Sequence, residues 1–332
     1  MTKSISFVWK LIIGISLLLI AFIVSMVFGA ADTSLKDLWI AMTSEHANQN
    51  SSILREIRLP REIAAMAVGA ALAVSGAIMQ GITKNPLADP GLLGLTAGAN
   101  FALALSMALI PSLNYFSIML ICFVGAAIGT ILVVGIGMLR KGGNSPLKLV
   151  LAGSAVTAFL TAIAEGISLF FHINKNVSMW TSGGLIGTSW GQLKVILPAI
   201  LIGIIISFLL SRQVTILSLS EDVAVGLGQK TALVKTLLFI VITILAGAAV
   251  ALVGNMAFIG LMVPHMVRWA AGTDYRFLLP ITAIAGGIFM LLADTVARTL
   301  NAPYETPVAA IISILGLPFF LLIIKKGGNK FA

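Results

Sequence analysis

Long apolar runs separated by short polar breakers occupy almost the whole chain. The run from Ile63 to Ile82 holds 20 residues without a charge. At about 1.5 Å of rise per helical residue, such a run spans the hydrocarbon core of a bilayer, roughly 30 Å. The pattern as a whole predicts an all-α polytopic membrane protein with about ten transmembrane helices. The predicted spans are 8–29, 62–82, 92–110, 116–139, 147–171, 192–211, 232–253, 256–271, 277–297 and 306–324.

The predicted span at 62–82 is unusually rich in small residues. Side chains of this size bury little apolar area but allow helices to approach closely in lipid, so we expect this helix to lie inside a bundle. The prolines and polar residues of the following segment, 85–91, disfavour helix. The helix is therefore predicted to stop there, and another to begin near Leu92. The small residues are Gly69, Ala70, Ala71, Ala73, Ser75, Gly76 and Ala77.

Composition agrees with a membrane protein. Apolar residues make up 59% and charged residues 10% of the 332 positions, whereas a typical soluble domain has about 25% charged residues. The mean hydropathy is +1.07. Spans of this number leave no room for a sizeable aqueous domain, so we expect one transmembrane domain over 1–332. No G-x-x-x-x-G-K-[ST] motif occurs, so an ATP-hydrolysing activity is not expected of this chain.

The net charge of +9 reflects topology rather than nucleic-acid binding. Basic residues stand at the ends of apolar runs, and a cytoplasmic N-terminus places 14 of the 21 on the inner side and 7 outside. This bias predicts that both termini are cytoplasmic. The N-terminus resembles a signal peptide, but its apolar run is longer than the usual 7–15 residues, so we favour an uncleaved first span.

Two similar segments of the sequence indicate an internal repeat. The sequence GAALAVSG at 69–76 returns as GAAVALVG at 247–254, with five of eight positions identical. In the predicted topology the two copies cross the membrane in opposite directions, as an inverted repeat requires, although small-residue helices also resemble one another by chance. We expect repeat halves at roughly 62–171 and 232–324.

A cluster of arginines is predicted on the outer side, against the general bias. A single arginine at a membrane edge is often a lipid anchor. A cluster of guanidinium forks also suits bidentate pairing with carboxylates of another protein. Arg55 can instead pair within the chain, with Glu56 or Glu62. The cluster consists of Arg55, Arg58, Arg61 and Arg298.

The segment 218–235 interrupts the apolar pattern on the predicted cytoplasmic side. Ser220 is a plausible N-cap, with Glu221 and Asp222 in the first turn of a short helix. Gly226 and Gly228 are expected to end that helix, and Thr231 to cap the next. A simple connection needs only a few residues, so this structured segment indicates contact with a partner.

A stripe of polar residues runs along the fifth predicted span, 147–171, and continues to His172. Its spacings of 3, 4, 4, 3 and 4 residues place all members on one helical face. Hydroxyl groups alone would be unremarkable, since they often bond to their own backbone. Glu165 is costly in lipid and indicates a cavity, although a neutral Glu165 bonded inside the bundle is the alternative. The stripe consists of Ser154, Thr157, Thr161, Glu165, Ser168 and His172.

Metal or cofactor chemistry is not expected. The three histidines are widely separated, and no second ligand stands near His265 at metal-binding spacing. His265 follows Pro264 in a short predicted span, where we interpret it as a structural residue.

Several motifs resemble the permease subunits of ATP-binding-cassette importers for iron-siderophore, haem and cobalamin substrates, the FecCD/BtuC-like family. The segment DYRFLLP departs from the family's usual acidic residue followed by His-Arg, and ETP departs from Glu-Leu-Pro. The matching motifs are RLPR at 58–61, GAALAVSGAIMQ at 69–80, NPLADPGLLG at 85–94, GLMVPHMVR at 260–268, DYRFLLP at 274–280, ADTVAR at 293–298 and ETPVAAIISILGLPFF at 305–320.

The resemblance implies a ten-helix subunit that pairs with a second, identical or homologous permease. It further implies two cytoplasmic ATP-binding subunits and an extracytoplasmic substrate-binding protein as partners. By the same resemblance, Arg58, Arg61 and Arg298 would dock the binding protein, and 218–235 would rest in a groove of the ATPase. The span carrying Glu165 would line the translocation path.

The resulting hypothesis is import of an iron(III)-siderophore chelate, of the hydroxamate type within that class. Haem and cobalamin permeases share the motifs and remain alternatives. A different class, a proton-coupled secondary carrier, would use Glu165 and His172 as a relay. The long cytoplasmic segment and the outer arginines argue against a carrier that works alone.

Overall fold

The structure, a computed structural model, describes residues 6–29, 34–43, 49–110, 112–138, 146–302 and 304–327. Over these ranges the chain is helical and contains no strand, which confirms the all-α prediction. Lys3, Arg140, Lys141 and Lys330, counted above on the inner side, lie outside them. The helices are α1 (Phe7–Val27), α2 (Leu35–Thr43), α3 (Gln49–Ile53), α4 (Leu59–Thr83), α5 (Leu95–Leu109), α6 (Tyr115–Met138), α7 (Pro146–Phe170), α8 (Asn174–Thr181), α9 (Trp190–Leu209), α10 (Ser211–Leu219), α11 (Glu221–Gly226), α12 (Thr231–Val253), α13 (Ile259–Ala271), α14 (Tyr275–Thr299) and α15 (Val308–Gly327).

Seven helical segments of the described chain are long and apolar enough to cross a membrane. They contain α1, α4, α6, α7, α9, α12 and α14 and match seven of the predicted spans. The other three predictions coincide with shorter or less apolar helices, α5, α13 and α15. Helix length therefore supports a polytopic protein but does not confirm the count of ten.

Helix α4 lies at the centre of the packing, as its small residues predicted. It packs against α14, α12, α13 and α9, and nearly all of its residues are buried. A Cβ atom added at Gly69 would lie 2.2 Å from the backbone oxygen of Gly286, so α4 and α14 touch backbone to backbone. The two helices are antiparallel, because Arg61 near the start of α4 meets Asp294 near the end of α14.

Helix α1 runs parallel to α14. The rings of Phe7 and Phe277 are 4.8 Å apart at one end, and the hydroxyl of Thr295 donates to Ser25 over 2.8 Å at the other. We call the end that holds Arg61 and Asp294 the arginine end. The opposite end is the α11 end, because α10 lies there beside the start of α14 and α11 packs against α10.

Helix α4 ends at Thr83, just before the proline-rich segment 85–91, as predicted. Lys84 follows α4 in the left-handed conformation, with φ of 53°. A short 3₁₀ turn, Pro90–Leu93, then intervenes and is capped by the Asp89 side chain, which accepts from the Gly91 amide. The next helix begins at Leu95 rather than Leu92, because the turn occupies the residues between.

Helices of the two predicted repeat halves pack against each other. Helix α4 packs along α14, and α12 packs along α6 and also against α4. The two echoed segments differ locally, since Gly76 lies within α4 whereas Gly254 ends α12 with φ of 75°. The repeat halves stay a prediction.

Candidate functional site

Arg61 binds two carboxylates at the arginine end. Its Nε and Nη2 atoms donate to Asp294 over 3.0 and 2.9 Å. Its Nη1 and Nη2 atoms donate to Glu305 over 2.8 and 2.9 Å. Paired, bidentate bonds of this kind are the strong form of an arginine–carboxylate contact. Arg61 therefore joins α4, α14 and the segment before α15.

Arg298 makes a second set of contacts beside the first. Its Nη2 atom donates to Glu62 over 2.6 Å and to the Ser25 hydroxyl over 2.9 Å, and its Nε atom lies 3.0 Å from Asp294. The Ser25 hydroxyl donates to Glu62. These bonds connect the end of α1 to α4 and α14.

Arg58 faces the last turn of α1. Its Nη1 atom donates to the carbonyl oxygens of Met26 and Val27 over 2.7 and 2.9 Å. Carbonyls at a helix C-terminus lack intrahelical donors and favour a nearby cation. Arg58 therefore caps α1 from the side.

The three arginines that the resemblance assigns to docking are buried in the structure. Arg58, Arg61 and Arg298 are only 4%, 7% and 3% exposed. A buried guanidinium needs a paired charge and hydrogen bonds, and three carboxylates supply the charge. These carboxylates are Glu62, Asp294 and Glu305. The docking role itself stays a prediction.

The sequence-based interpretation also missed the partners. Glu62 pairs with Arg298 rather than with Arg55, and Arg55 donates to the backbone oxygen of Ala41. Asp294 and Glu305 stand in two of the motifs quoted above, near the predicted outer ends of two spans. Their charges were the available signal, because carboxylates at the same end as unpaired arginines are natural partners. We call Arg58, Arg61, Arg298, Glu62, Asp294 and Glu305 the charge cluster.

The short helix predicted after Ser220 is confirmed at the opposite end. Helix α11 spans Glu221–Gly226, and the Ser220 hydroxyl accepts from the Val223 amide over 3.0 Å. Gly228 follows with φ of 75°. The predicted Thr231 cap is wrong, because Lys230 occupies that position and makes no side-chain cap bond.

Helix α11 exposes most of its surface. Ala224 is its one buried residue, and Asp222 is exposed. The Glu221 carboxylate accepts from the Lys235 ammonium over 2.7 Å, which ties α11 to α12. Apolar side chains otherwise cover this surface, which we call the α11 surface. They are Leu219, Val223, Val225 and Leu227, each between 45% and 66% exposed.

Helix α10, which the hydropathy pattern did not predict, links the α11 surface to α14. The Thr215 hydroxyl accepts from the Tyr275 amide over 3.0 Å and donates to Asp274 over 3.3 Å. Asp274 also caps α14 by accepting from the Arg276 amide. Hydrogen bonds from the Arg276 side chain hold the pKa of Asp274 below its usual range.

Five members of the polar stripe lie on α7. Ser154 and Glu165 are exposed, Thr157 and Thr161 are half-buried, and Ser168 is buried. The hydroxyls of Ser154 and Ser168 donate to carbonyls of their own helix, at Val150 and Ala164. The expectation that His172 continues the stripe is wrong, because α7 ends at Phe170 and His172 adopts φ of 57°.

A cavity of about 600 Å³ opens near the end of α12. Its lining is largely apolar, and none of the predicted site residues contributes to it. It lies between the ends of α5 and α12, the start of α6 and helix α8. Representative lining residues are Met107, Tyr115, Phe171, Trp180, Gln192 and Leu252.

His265 lies among aromatic rings, at centroid distances of 6.4 Å from Trp269 and 5.9 Å from Phe319. Within the part of the chain that the structure describes, no three His, Cys, Asp or Glu side chains lie close enough together to hold a metal ion.

Comparison with known proteins gives consistent matches over the length of the chain. The model of the FecCD transport family matches residues 17–326. The chain is 44% identical over 317 residues to the iron(3+)-hydroxamate import system permease protein FhuB of Bacillus subtilis, covering 95% of this chain and 83% of that protein. It is 40% identical over 327 residues to the hemin transport system permease protein HmuU of Yersinia pestis, covering 96% of each.

A solved structure has a similar fold. It is described as a candidate metal-chelate type ABC transporter in an inward-facing conformation. The two chains superpose with a TM-score of 0.84 at 27% sequence identity, over 95% of this chain and 98% of the other.

Proposed function

The chain belongs to the FecCD transport family, and from this premise we propose that it is the permease subunit of an ATP-binding-cassette importer for an iron(III)-hydroxamate siderophore. It supplies the path, and partner subunits supply ATP hydrolysis. We further propose that the arginine end faces outward and that both chain termini are cytoplasmic.

The α11 surface is the observation that favours an importer over a secondary carrier. Helix α11 has one buried residue, and its valines and the leucines on either side of it, Leu219 and Leu227, are exposed. An exposed apolar patch of this kind marks a site of contact with another protein. It suits an ATPase subunit that covers it. The bonds from Thr215 to the start of α14 support transmission of movement from this surface into the bundle.

The face of α7 that carries Glu165 supports a path beside a second permease. Glu165 is exposed on a membrane-spanning helix, and an ionisable side chain in contact with lipid is costly. A partner permease, identical or homologous, would enclose this face in a polar path. Ser154, Thr157, Thr161 and Ser168 would continue the lining, and His172 would stand at its mouth.

The substrate proposal rests on relatives. The Bacillus subtilis permease is named for iron(III)-hydroxamate, while the Yersinia pestis protein, at 40% identity, is named for hemin. Haem is therefore the second candidate. A chelate arrives with its metal already coordinated, so the path needs width and mild polarity rather than metal ligands.

The test is reconstitution of the assembled importer with its ATPase subunits and binding protein. We expect ATP-dependent uptake of a radiolabelled ferric hydroxamate, competed by other hydroxamates and not by haem or cobalamin. Uptake driven by a proton gradient at constant ATP would contradict the proposal of an ATP-driven importer. Preferential uptake of haem would contradict only the proposed substrate class.

The coupling role of α11 has its own test. Gly226 has an ordinary helical backbone, and a Cβ placed on it meets no atom within 4 Å, so Gly226→Val should not disturb this chain. If α11 contacts the ATPase, the variant should assemble and hydrolyse ATP but transport poorly. Gly226→Ala is the matched control and should transport more than the valine variant. Normal transport by Gly226→Val would remove Gly226 from the contact.

A further inference from the structure

The guanidinium of Arg61 has two hydrogen-bonding edges with different partners. The side edge, formed by Nε and Nη2, faces Asp294 over 3.0 and 2.9 Å. The end edge, formed by Nη1 and Nη2, faces both oxygens of Glu305 over 2.8 and 2.9 Å. Each edge is therefore filled by a carboxylate of this chain.

The two carboxylates differ in access to solvent. The Asp294 side chain is completely buried, and that of Arg61 is 8% exposed, whereas that of Glu305 is 28% exposed. Glu305 belongs to the connection between α14 and α15, in which Tyr304 is also exposed. Glu305 is thus the partner of Arg61 that can leave toward the surface.

Backbone oxygens and fully buried side chains accept the bonds described above for the other two arginines. Arg298 is held by Glu62 and Asp294, whose side chains are fully buried. The bonds that Arg58 makes to Met26 and Val27 end on backbone oxygens, which cannot move without moving α1. Arg61, in contrast, bonds through its end edge to Glu305, a side chain that is 28% exposed.

We propose that Glu305 is an internal carboxylate that occupies the end edge of Arg61 until an acidic side chain of the docking binding protein replaces it. Asp294 keeps the side edge, so Arg61 stays paired throughout. This inference rests on the proposed function, because it assumes that the arginine end receives the binding protein.

The exchange has a small electrostatic cost. Removal of a partner from a buried charge is strongly destabilising, but replacement of one bidentate carboxylate by another preserves the hydrogen bonds of the guanidinium. The charge cluster has three arginines and three carboxylates, so it is neutral at rest. When Glu305 leaves, the cluster has one positive charge, which favours an acidic side chain.

The test measures binding of the importer's substrate-binding protein, in soluble form, to the assembled importer in nanodiscs. Glu305→Gln keeps the size of the side chain but makes it a weaker competitor for Arg61. We expect its Kd to fall at least about threefold at low ionic strength, with a higher association rate. Added salt should reduce this advantage.

The matched control is Glu56→Gln, which removes an exposed carboxylate from the π-helical stretch Leu54–Arg58 at the same end. Its Kd should change less than that of Glu305→Gln. Equal effects of the two variants would mean a general charge effect and would overturn the proposal. Unchanged or weaker binding by Glu305→Gln would overturn it too.

Failure of the Glu305→Gln complex to assemble would also overturn the proposal, because a carboxylate that leaves during docking cannot be indispensable to the fold. The proposed function has a separate readout in wild-type uptake. If wild-type uptake is ATP-driven and the Glu305→Gln variant binds as wild type does, the importer function is supported and only the proposed replacement of Glu305 is contradicted. If the wild-type importer neither binds the protein nor transports, both fail.

Discussion

Gly69 of α4 and Gly286 of α14 cross with their backbones in contact. A Cβ atom on Gly69 would lie 2.2 Å from the Gly286 oxygen, and one on Gly286 would lie 2.3 Å from the Gly69 oxygen. Arg61 precedes Gly69 by eight residues, and Asp294 follows Gly286 by eight. Because the helices are antiparallel, the crossing brings this arginine and this aspartate together.

Gly286→Ala should destabilise the permease. A new methyl group would meet a backbone oxygen that cannot rotate away, and overpacking of this kind typically costs about 1–3 kcal/mol. Thermal unfolding of the purified importer measures the loss. Gly135→Ala is the control, because a Cβ there meets nothing within 4 Å and alanine is the better helix former. Equal stability of the two variants would contradict the close crossing.

Arg61→Met should lower the free energy of unfolding by about 3–5 kcal/mol, because Asp294 would lose one of its two buried cationic partners. Arg61→Met combined with Asp294→Asn should lose less than the sum of the single changes. Chemical unfolding of the four proteins gives the coupling energy. Additive losses would show that the two side chains do not interact.

The matched control for that cycle is Arg276→Met. Arg276 pairs with Asp274 at 2.6 Å, but its side chain is 58% exposed, so its loss should cost no more than about 1 kcal/mol. The burial of the Arg61 side chain argues against a charge reversal there as a test of docking. Glutamate there would stand beside Asp294 and Glu305, and misfolding would mask any effect on binding.

Glu165→Gln should retain most ATP-driven uptake. Glutamine keeps the size and hydrogen-bonding capacity of glutamate and removes only its ionisation, so a residue that lines the path tolerates the change. Uptake of the labelled chelate by reconstituted vesicles measures the effect, with ATP hydrolysis as the control for assembly. Abolished uptake with normal hydrolysis would favour a proton relay instead.

Asp274 should make stability depend on pH in the acid range. Because its pKa is lowered in the folded state, its contribution is complete above the usual aspartate value of about 3.9. The contribution is then lost as the pH falls through the lower, folded-state value. Asp274→Asn can cap α14 without titrating, so the difference in melting temperature between it and wild type should shrink as the medium is acidified. A constant difference from pH 7 to pH 3 would contradict this role.

Local features of the fold were predictable from the sequence. Apolar length identified the long spans, small residues identified α4 as an inner helix, and the serine and glycines around α11 identified its boundaries. Each of these depends on a few neighbouring residues. Thr231 and His172 were assigned wrongly because the exact start and end of a helix depend on backbone conformation, which the periodicity of the sequence does not reveal.

The hydropathy of the sequence by itself determined that this chain is a helical membrane protein, and its motifs indicated an importer permease. Tertiary structure alone decided with which groups the arginines pair. Arg61 and Asp294 are separated by 233 residues, and their charges are visible in the sequence, but their contact requires the close crossing of Gly69 and Gly286. Burial then decides between exposed docking charges and paired ones, because a guanidinium out of water requires carboxylate partners.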